Sequence, residues 1–228
     1  MIQDGLKSAG ELVSPEACVI WLHGLGATAD DFVPAVPYLN IPADLKVKFL
    51  FPQAPVRPVT INAGWEMPAW YDILEMLPER KIVQEHLEGA ARDLHRLTQE
   101  QIASGIPACR IFWAGFSQGG AVVLEAAVNK AKYPDSVLPD TIFALSTYQA
   151  LPVERSSDLS GLNFWHAHGS YDDVVPFGMG KKAFESTEAI SGESQWHVWP
   201  MSHEVCLAEL EAMGRYMTDR IGSAEKVG

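Results

Sequence analysis

The stretch Gly115-Phe116-Ser117-Gln118-Gly119 has the form G-x-S-x-G. A serine hydroxyl is a weak nucleophile until a base takes its proton. The pattern gains meaning from its flanks, an apolar run at 110–114 before it and an Ala- and Val-rich helical stretch from 119 after it. A nucleophile on such a strand-to-helix turn has unfavourable backbone angles, and glycines on both sides remove the Cβ atoms that would clash. The positive end of the following helix then points at any oxyanion formed there. Ser117 is thus the candidate nucleophile for acyl transfer.

A base and an acid must follow in the order Ser, acid, His. Downstream histidines are His166, His168, His197 and His203. The first three fall within or at the ends of strand-like runs and read as structural. His203 follows the last such run in Pro200-Met201-Ser202-His203, where the next helix begins, and is the candidate base. The acid should follow the run 163–167, where His168-Gly169-Ser170-Tyr171-Asp172-Asp173 offers two adjacent carboxylates. Asp173 can equally serve as a turn or helix cap, and spacing leaves the two open. An oxyanion hole needs two backbone donors. Gln118, next after the nucleophile, is one candidate; Leu25, in His23-Gly24-Leu25-Gly26 after the first core strand, is the other. No H-E-x-x-H, C-x-x-C, G-x-G-x-x-G or Walker-type pattern occurs, so neither a metal nor a cofactor is expected.

The elements that must position these groups are legible as alternating apolar runs and amphipathic stretches. Strand-like runs lie at 17–22, 47–51, 110–114, 141–145, 163–167 and 195–199. Unbroken apolar strands, as opposed to alternating ones, are buried on both faces, as in a parallel sheet wrapped by helices. Helical spacing covers 82–104, 119–132, 179–191 and 205–221. Residues 54–78 fit neither period and read as a long ordered loop, which in a compact domain tends to be functional. The fold class is therefore α/β, with a mostly parallel sheet and helices on both faces. One domain spans 1–228, with a tail, 223–228, that reads as disordered.

Bulk properties agree with this. The chain has 228 residues, enough for a substantial core without staples. Its 17 basic and 29 acidic residues give a net charge of −12, which argues against nucleic-acid binding. The 3 cysteines are odd in number and widely spaced, so no disulfide framework is expected. Cys18 and Cys109 read as buried thiols. No signal peptide or membrane-spanning run is visible, and a cytoplasmic protein is expected.

Taken together, several motifs resemble the phospholipase/carboxylesterase family, which includes bacterial carboxylesterases and acyl-protein thioesterases. They are Leu22-His23-Gly24-Leu25-Gly26, Gly64-Trp65-Glu66-Met67-Pro68-Ala69-Trp70-Tyr71-Asp72-Ile73, Gly115-Phe116-Ser117-Gln118-Gly119-Gly120, His168-Gly169 with Asp172 and Val174-Val175-Pro176, and Pro200-Met201-Ser202-His203. The resemblance implies an α/β-hydrolase fold without a bulky cap. It implies cleavage of carboxylic esters, lysophospholipids or S-acyl thioesters through an acyl-enzyme, by a monomer or weak homodimer. It also implies Asp172 as the acid. The segment Thr147-Tyr148-Gln149-Ala150-Leu151-Pro152 departs from the family by being longer.

Two other readings compete. A non-catalytic ligand-binding protein on the same fold is one, although all three candidate triad members are present. A lactone or dienelactone hydrolase is the other, although those commonly carry cysteine at the elbow. The loop after Trp70 is the candidate acyl site. Its candidate residues are Trp70, Leu74, Met76 and Leu77, because large apolar groups on a surface loop need cover. Of the tryptophans there, Trp65 and Trp70 read better as packing the loop onto the core, and Leu74, Met76 and Leu77 read better as pocket.

Overall fold

A computed structural model describes residues 5–76, 80–133, 136–153 and 159–224. Its strands in chain order are β1 (Lys7–Gly10), β2 (Ala17–Leu22), β3 (Val47–Phe51), β4 (Val56–Val59), β5 (Trp65–Pro68), β6 (Ile73–Glu75), β7 (Lys81–Ile82), β8 (Ile111–Phe116), β9 (Thr141–Leu145), β10 (Leu159–Gly169) and β11 (Ser191–Trp199). Its α-helices are α1 (Gln84–Ala103), α2 (Gln118–Val128), α3 (Phe177–Glu188) and α4 (Leu207–Ala224).

The main sheet runs in the order β1-β3-β2-β8-β9-β10-β11. β1 is antiparallel to β3 and the other neighbours are parallel. Side chains alternate across it: Cys18, Ile20 and Leu22 enter one core with Leu87, Leu94 and Val122, while Val19 and Trp21 enter the other with Met213, Met217 and Ile221. Helices cover both faces, which is why the central strands are apolar throughout. α2 is buried on every side. Its one carboxylate, Glu125, accepts bonds from Asn129 Nδ2 at 2.7 Å, Lys132 Nζ at 3.2 Å and the Tyr133 hydroxyl at 3.2 Å.

The strands at 17–22, 47–51 and 141–145 coincide with β2, β3 and β9. β10 and β11 extend further toward their N-termini than the apolar runs. β11 is an edge strand, so its residues are only half-buried and need not be apolar. Arg110 closes a 3-10 turn, and the strand starts one residue later. Cys109 on that turn is exposed, contrary to the buried thiol expected from its apolar neighbours. Cys18 is buried, and desolvation pushes its thiol up to about 12.

The reading of 54–78 as a strandless loop is corrected. β4 pairs with β5 and β6 with β7, both antiparallel, in pieces too short to reveal a period. The Asp72 carboxylate joins them, accepting Thr60 N–H at 2.8 Å and the Thr60 hydroxyl at 2.7 Å. β1 and a 3-10 helix, Val33–Leu39, had no sequence signal strong enough to read. α4 runs to Ala224, so residues 223–224 are helical and not tail; 225–228 lie outside the described residues. Among the described residues no helix is long and apolar enough to cross a membrane.

Glu209, in the first turn of α4, is fully buried, and neither carboxylate oxygen finds a partner of good geometry among the described residues. Desolvation raises its carboxyl from 4.5 to about 8. The folded chain therefore keeps a proton that the unfolded chain releases, so stability falls as pH rises through that window. Melting temperatures of wild type and Glu209→Gln between pH 4.5 and pH 9 should diverge, with wild type losing stability that the variant keeps. Parallel curves would show that Glu209 does not hold a proton in the folded state.

Candidate active site

Ser117 sits between β8 and α2, with φ 54° and ψ −116°. An L-residue rarely adopts that conformation, and it costs about 1–3 kcal/mol. The two flanking glycines permit it. A Cβ on Gly115 would lie 2.4 Å from Gly119 O, and one on Gly119 would lie 2.5 Å from Leu22 O. No side chain fits where β8, α2 and β2 converge. Ser117 N–H donates to Leu145 O at 2.9 Å, and the Thr147 hydroxyl donates to Ser117 O at 2.6 Å. The turn is thereby pinned to the segment that follows β9.

The loops after β10 and β11 bring two further groups to the same carboxyl edge of the sheet. Ser170 N–H donates to Trp199 O at 2.9 Å and Tyr171 N–H to Met201 O at 3.1 Å, so the two loops are tied together. His203 Nε2 lies 2.9 Å from Ser117 Oγ, and His203 Nδ1 lies 2.8 Å from Asp172 Oδ2. A carboxylate only accepts, so Nδ1 carries the hydrogen and Nε2 is free to take the serine proton. Asp172 is buried and its other oxygen accepts Val174 and Val175 N–H at 3.0 and 2.8 Å. Asp173 is exposed. The structure thus brings Asp172, and not its neighbour, to His203.

His168 was read as structural, and it is buried one layer behind the acid. Its Nε2–H donates to Val175 O at 2.9 Å and lies 3.5 Å from Asp172 Oδ2. Desolvation lowers its pKa, which keeps the ring neutral. His166 bonds Thr187 at 2.8 Å and burial depresses it to about 3. His197 bonds Gln195 at 3.0 Å and stacks on Trp165. None of these three reaches Ser117.

The two candidate oxyanion donors differ in origin. Gln118 is the first residue of α2, where a helix leaves its N–H without an internal partner. Leu25 N–H makes no hydrogen bond among the described residues, whereas Gly26 N–H donates to Pro68 O at 2.8 Å. The loop 23–26 is held from beneath by groups whose role was not legible. Ala54 N–H donates to His23 Nε2 at 3.1 Å, so His23 Nδ1 carries the hydrogen and donates to Gly24 O at 2.8 Å. Burial lowers the His23 pKa and keeps that tautomer uncharged. Trp70 Nε1–H donates to His23 O at 2.8 Å. The Gln118 side chain accepts Trp70 N–H at 2.7 Å and donates to Tyr71 O at 2.8 Å.

This corrects the acyl-site reading at Trp70. Its indole is buried and spent on His23 O, so it supports the loop from below. Trp65 was expected to pack on the core but is 74% exposed, because it ends a hairpin that stands off the main sheet. Leu74 and Met76 are 41% and 40% exposed on and beside β6. Leu77 lies outside the described residues.

Residues 11–221 match the Phospholipase/Carboxylesterase family. The chain is 33% identical to acyl-protein thioesterase 1 of Neurospora crassa, with 90% of this chain and 87% of that protein covered. It is 31% identical to acyl-protein thioesterase 1 of Saccharomyces cerevisiae, over 96% of this chain and all of that protein. Among solved structures it resembles Arabidopsis thaliana SOBER1, at 24% identity and a TM-score of 0.78 over 90% of this chain and 99% of that one. It also resembles Zea mays acyl-protein thioesterase 2, at 21% identity and a TM-score of 0.79 over 95% and 98%.

The support beneath loop 23–26 is testable. Trp70→Phe keeps the ring but strands a buried carbonyl at His23, which should cost about 1–3 kcal/mol of stability. If the bond aims the Leu25 donor, kcat for a p-nitrophenyl ester should also fall roughly tenfold with KM little changed. A stability loss with unchanged kcat would show that the loop keeps its shape without Trp70.

Proposed function

The chain belongs to the phospholipase/carboxylesterase family of serine hydrolases, and on that premise we propose that Ser117, His203 and Asp172 hydrolyse small-molecule esters and thioesters through an acyl-enzyme. The observation that carries the reading is the unbroken line from Asp172 Oδ2 through His203 to Ser117 Oγ, with contacts of 2.8 and 2.9 Å.

In this reading His203 Nε2 accepts the Ser117 proton as Oγ attacks the substrate carbonyl. Asp172 holds the imidazole in the required tautomer and stabilises the imidazolium that forms. The oxyanion is received by the N–H groups of Leu25 and Gln118, already fixed before substrate arrives. When the intermediate collapses, His203 returns the proton to the departing oxygen or sulfur. Water then repeats the sequence against the acyl-enzyme, and His203 again moves the proton. The charge of the acid is held by Val174 and Val175 N–H.

Acyl-protein thioesterase relatives favour thioesters among the substrates, and the family description favours carboxylic esters. The line from serine to carboxylate speaks against a purely ligand-binding role, since a binding protein needs no proton relay. For the acyl chain, Leu74, Met76 and Leu77 stay as candidates, supported by their apolar character in the stretch of sequence that follows Trp70.

Ser117→Ala should abolish turnover of p-nitrophenyl butyrate down to a residual level several orders of magnitude below wild type. Asp172→Asn should reduce kcat severely, and Asp173→Asn should not, because only the former presents an amide to His203. Near-normal turnover by Ser117→Ala contradicts the reading as a whole. A larger loss in Asp173→Asn than in Asp172→Asn contradicts the acid alone.

A further inference from the structure

The esterase reading fixes where a leaving group must go. Its oxygen or sulfur takes a proton from His203 Nε2, so it departs on the histidine side of Ser117. A groove of about 340 Å³ opens there, lined by Gly24, Asp31, Phe32, Phe116, His203 and Glu204, with small and aliphatic side chains completing it.

The walls have a definite chemistry. The Phe116 ring lies 4.8 Å from the His203 ring, and the Phe32 ring lies 5.8 Å from that of Phe116. Phe32 is itself fixed by stacking on buried Trp21 at 4.7 Å. Two aromatic rings therefore continue outward from the imidazole. Asp31 and Glu204 stand on the rim, and among the described residues no lysine or arginine lines the groove. Asp31 is oriented by Thr28, whose hydroxyl and N–H donate to Oδ1 at 2.6 and 3.2 Å. Nearby Lys7 pairs with Asp30 at 3.4 Å, and among the described residues neither Asp31 nor Glu204 has an ion-pair partner.

Aromatic rings and two carboxylates around one small groove are complementary to a cation, and above all to a methyl-rich ammonium that also buries apolar surface. An anionic leaving group would meet two carboxylates there and gain nothing. The net charge of −12 acts in the same direction over longer range. We infer that this groove receives the leaving group, and that the enzyme prefers esters whose alcohol carries a quaternary ammonium on a short spacer. The inference rests on the esterase reading and adds a substrate class to it. Hydrolysis proceeds as before: the acyl carbon–oxygen bond breaks, the proton from His203 completes the ammonium alcohol, and the acyl group stays on Ser117 until water removes it.

Butyrylcholine and 3,3-dimethylbutyl butyrate have the same shape and differ only in the charged nitrogen. In low salt, kcat/KM for the choline ester should exceed that for the neutral ester by about tenfold, a ratio that shrinks as salt screens the exposed carboxylates. In Asp31→Asn with Glu204→Gln the ratio should drop toward one, and Glu204→Gln alone should fall between; thermal melts identify any variant that has not folded. A wild-type ratio near one, with both esters turned over, overturns the leaving-group inference and leaves the esterase reading intact. A ratio unchanged in the double variant also overturns it. Failure to hydrolyse either ester or p-nitrophenyl butyrate would instead defeat the esterase reading.

Discussion

Everything at the site depends on one strained residue wedged at the centre of the sheet. Ser117 is held at φ 54° because β8 ends directly against the start of α2. That approach exists only because Gly115 and Gly119 leave no Cβ between β8, α2 and the end of β2. β8 lies between β2 and β9, and its neighbours are packed on both faces. The core thus supplies the energy that keeps an unfavourable conformation populated. The strain also puts Ser117 Oγ above the carboxyl edge of the sheet, where the loops after β2, β10 and β11 can all reach it.

Around that point the polar groups are organised by satisfaction of buried bonds more than by charge. Asp172 is the carboxylate aimed at the site, and both of its oxygens are engaged. The buried histidines nearby, His23 and His168, are kept neutral by desolvation and used as directional hydrogen-bond groups. The Gln118 side chain, Trp70 and His23 form a chain that joins the start of α2 to the loop carrying Leu25. The two candidate oxyanion donors are therefore mechanically coupled. A buried polar chain of this kind is rigid when complete and costly when one member is lost.

Much of this was legible in the sequence. Unbroken apolar runs gave the parallel strands, because burial on both faces leaves no alternation to misread. Ser117 and Gln118 were marked by Gly115 and Gly119, where the fold leaves no room for a Cβ, and Leu25 by Gly24 and Gly26, the latter at φ 76°. His203 was marked by its place after the last strand. Asp172 and Asp173 could not be separated by spacing, since the choice is made by a turn that buries one carboxylate and exposes the other. The β4–β5 hairpin and β6 within 54–78 were hidden because their strands are three or four residues long and carry Pro58 and Pro68. Trp70, Gln118 and His23 act through side-chain bonds between segments far apart in sequence, and no local pattern announces those. The signal within reach was the pairing of a histidine with the glycine-rich turn at 23–26. The groove at Phe32 and Glu204 was invisible for the same reason, because its two walls come from opposite ends of the chain.

The central claim is that Ser117 Oγ becomes covalently acylated during turnover. The most direct measurement is acid quenching of the enzyme during steady turnover of p-nitrophenyl butyrate, followed by intact mass and peptide mapping. The account predicts a fraction of protein carrying one butyryl group, located on Ser117 and absent in Ser117→Ala. Active turnover with the acyl group on another residue, or labelling that persists in Ser117→Ala, would contradict it.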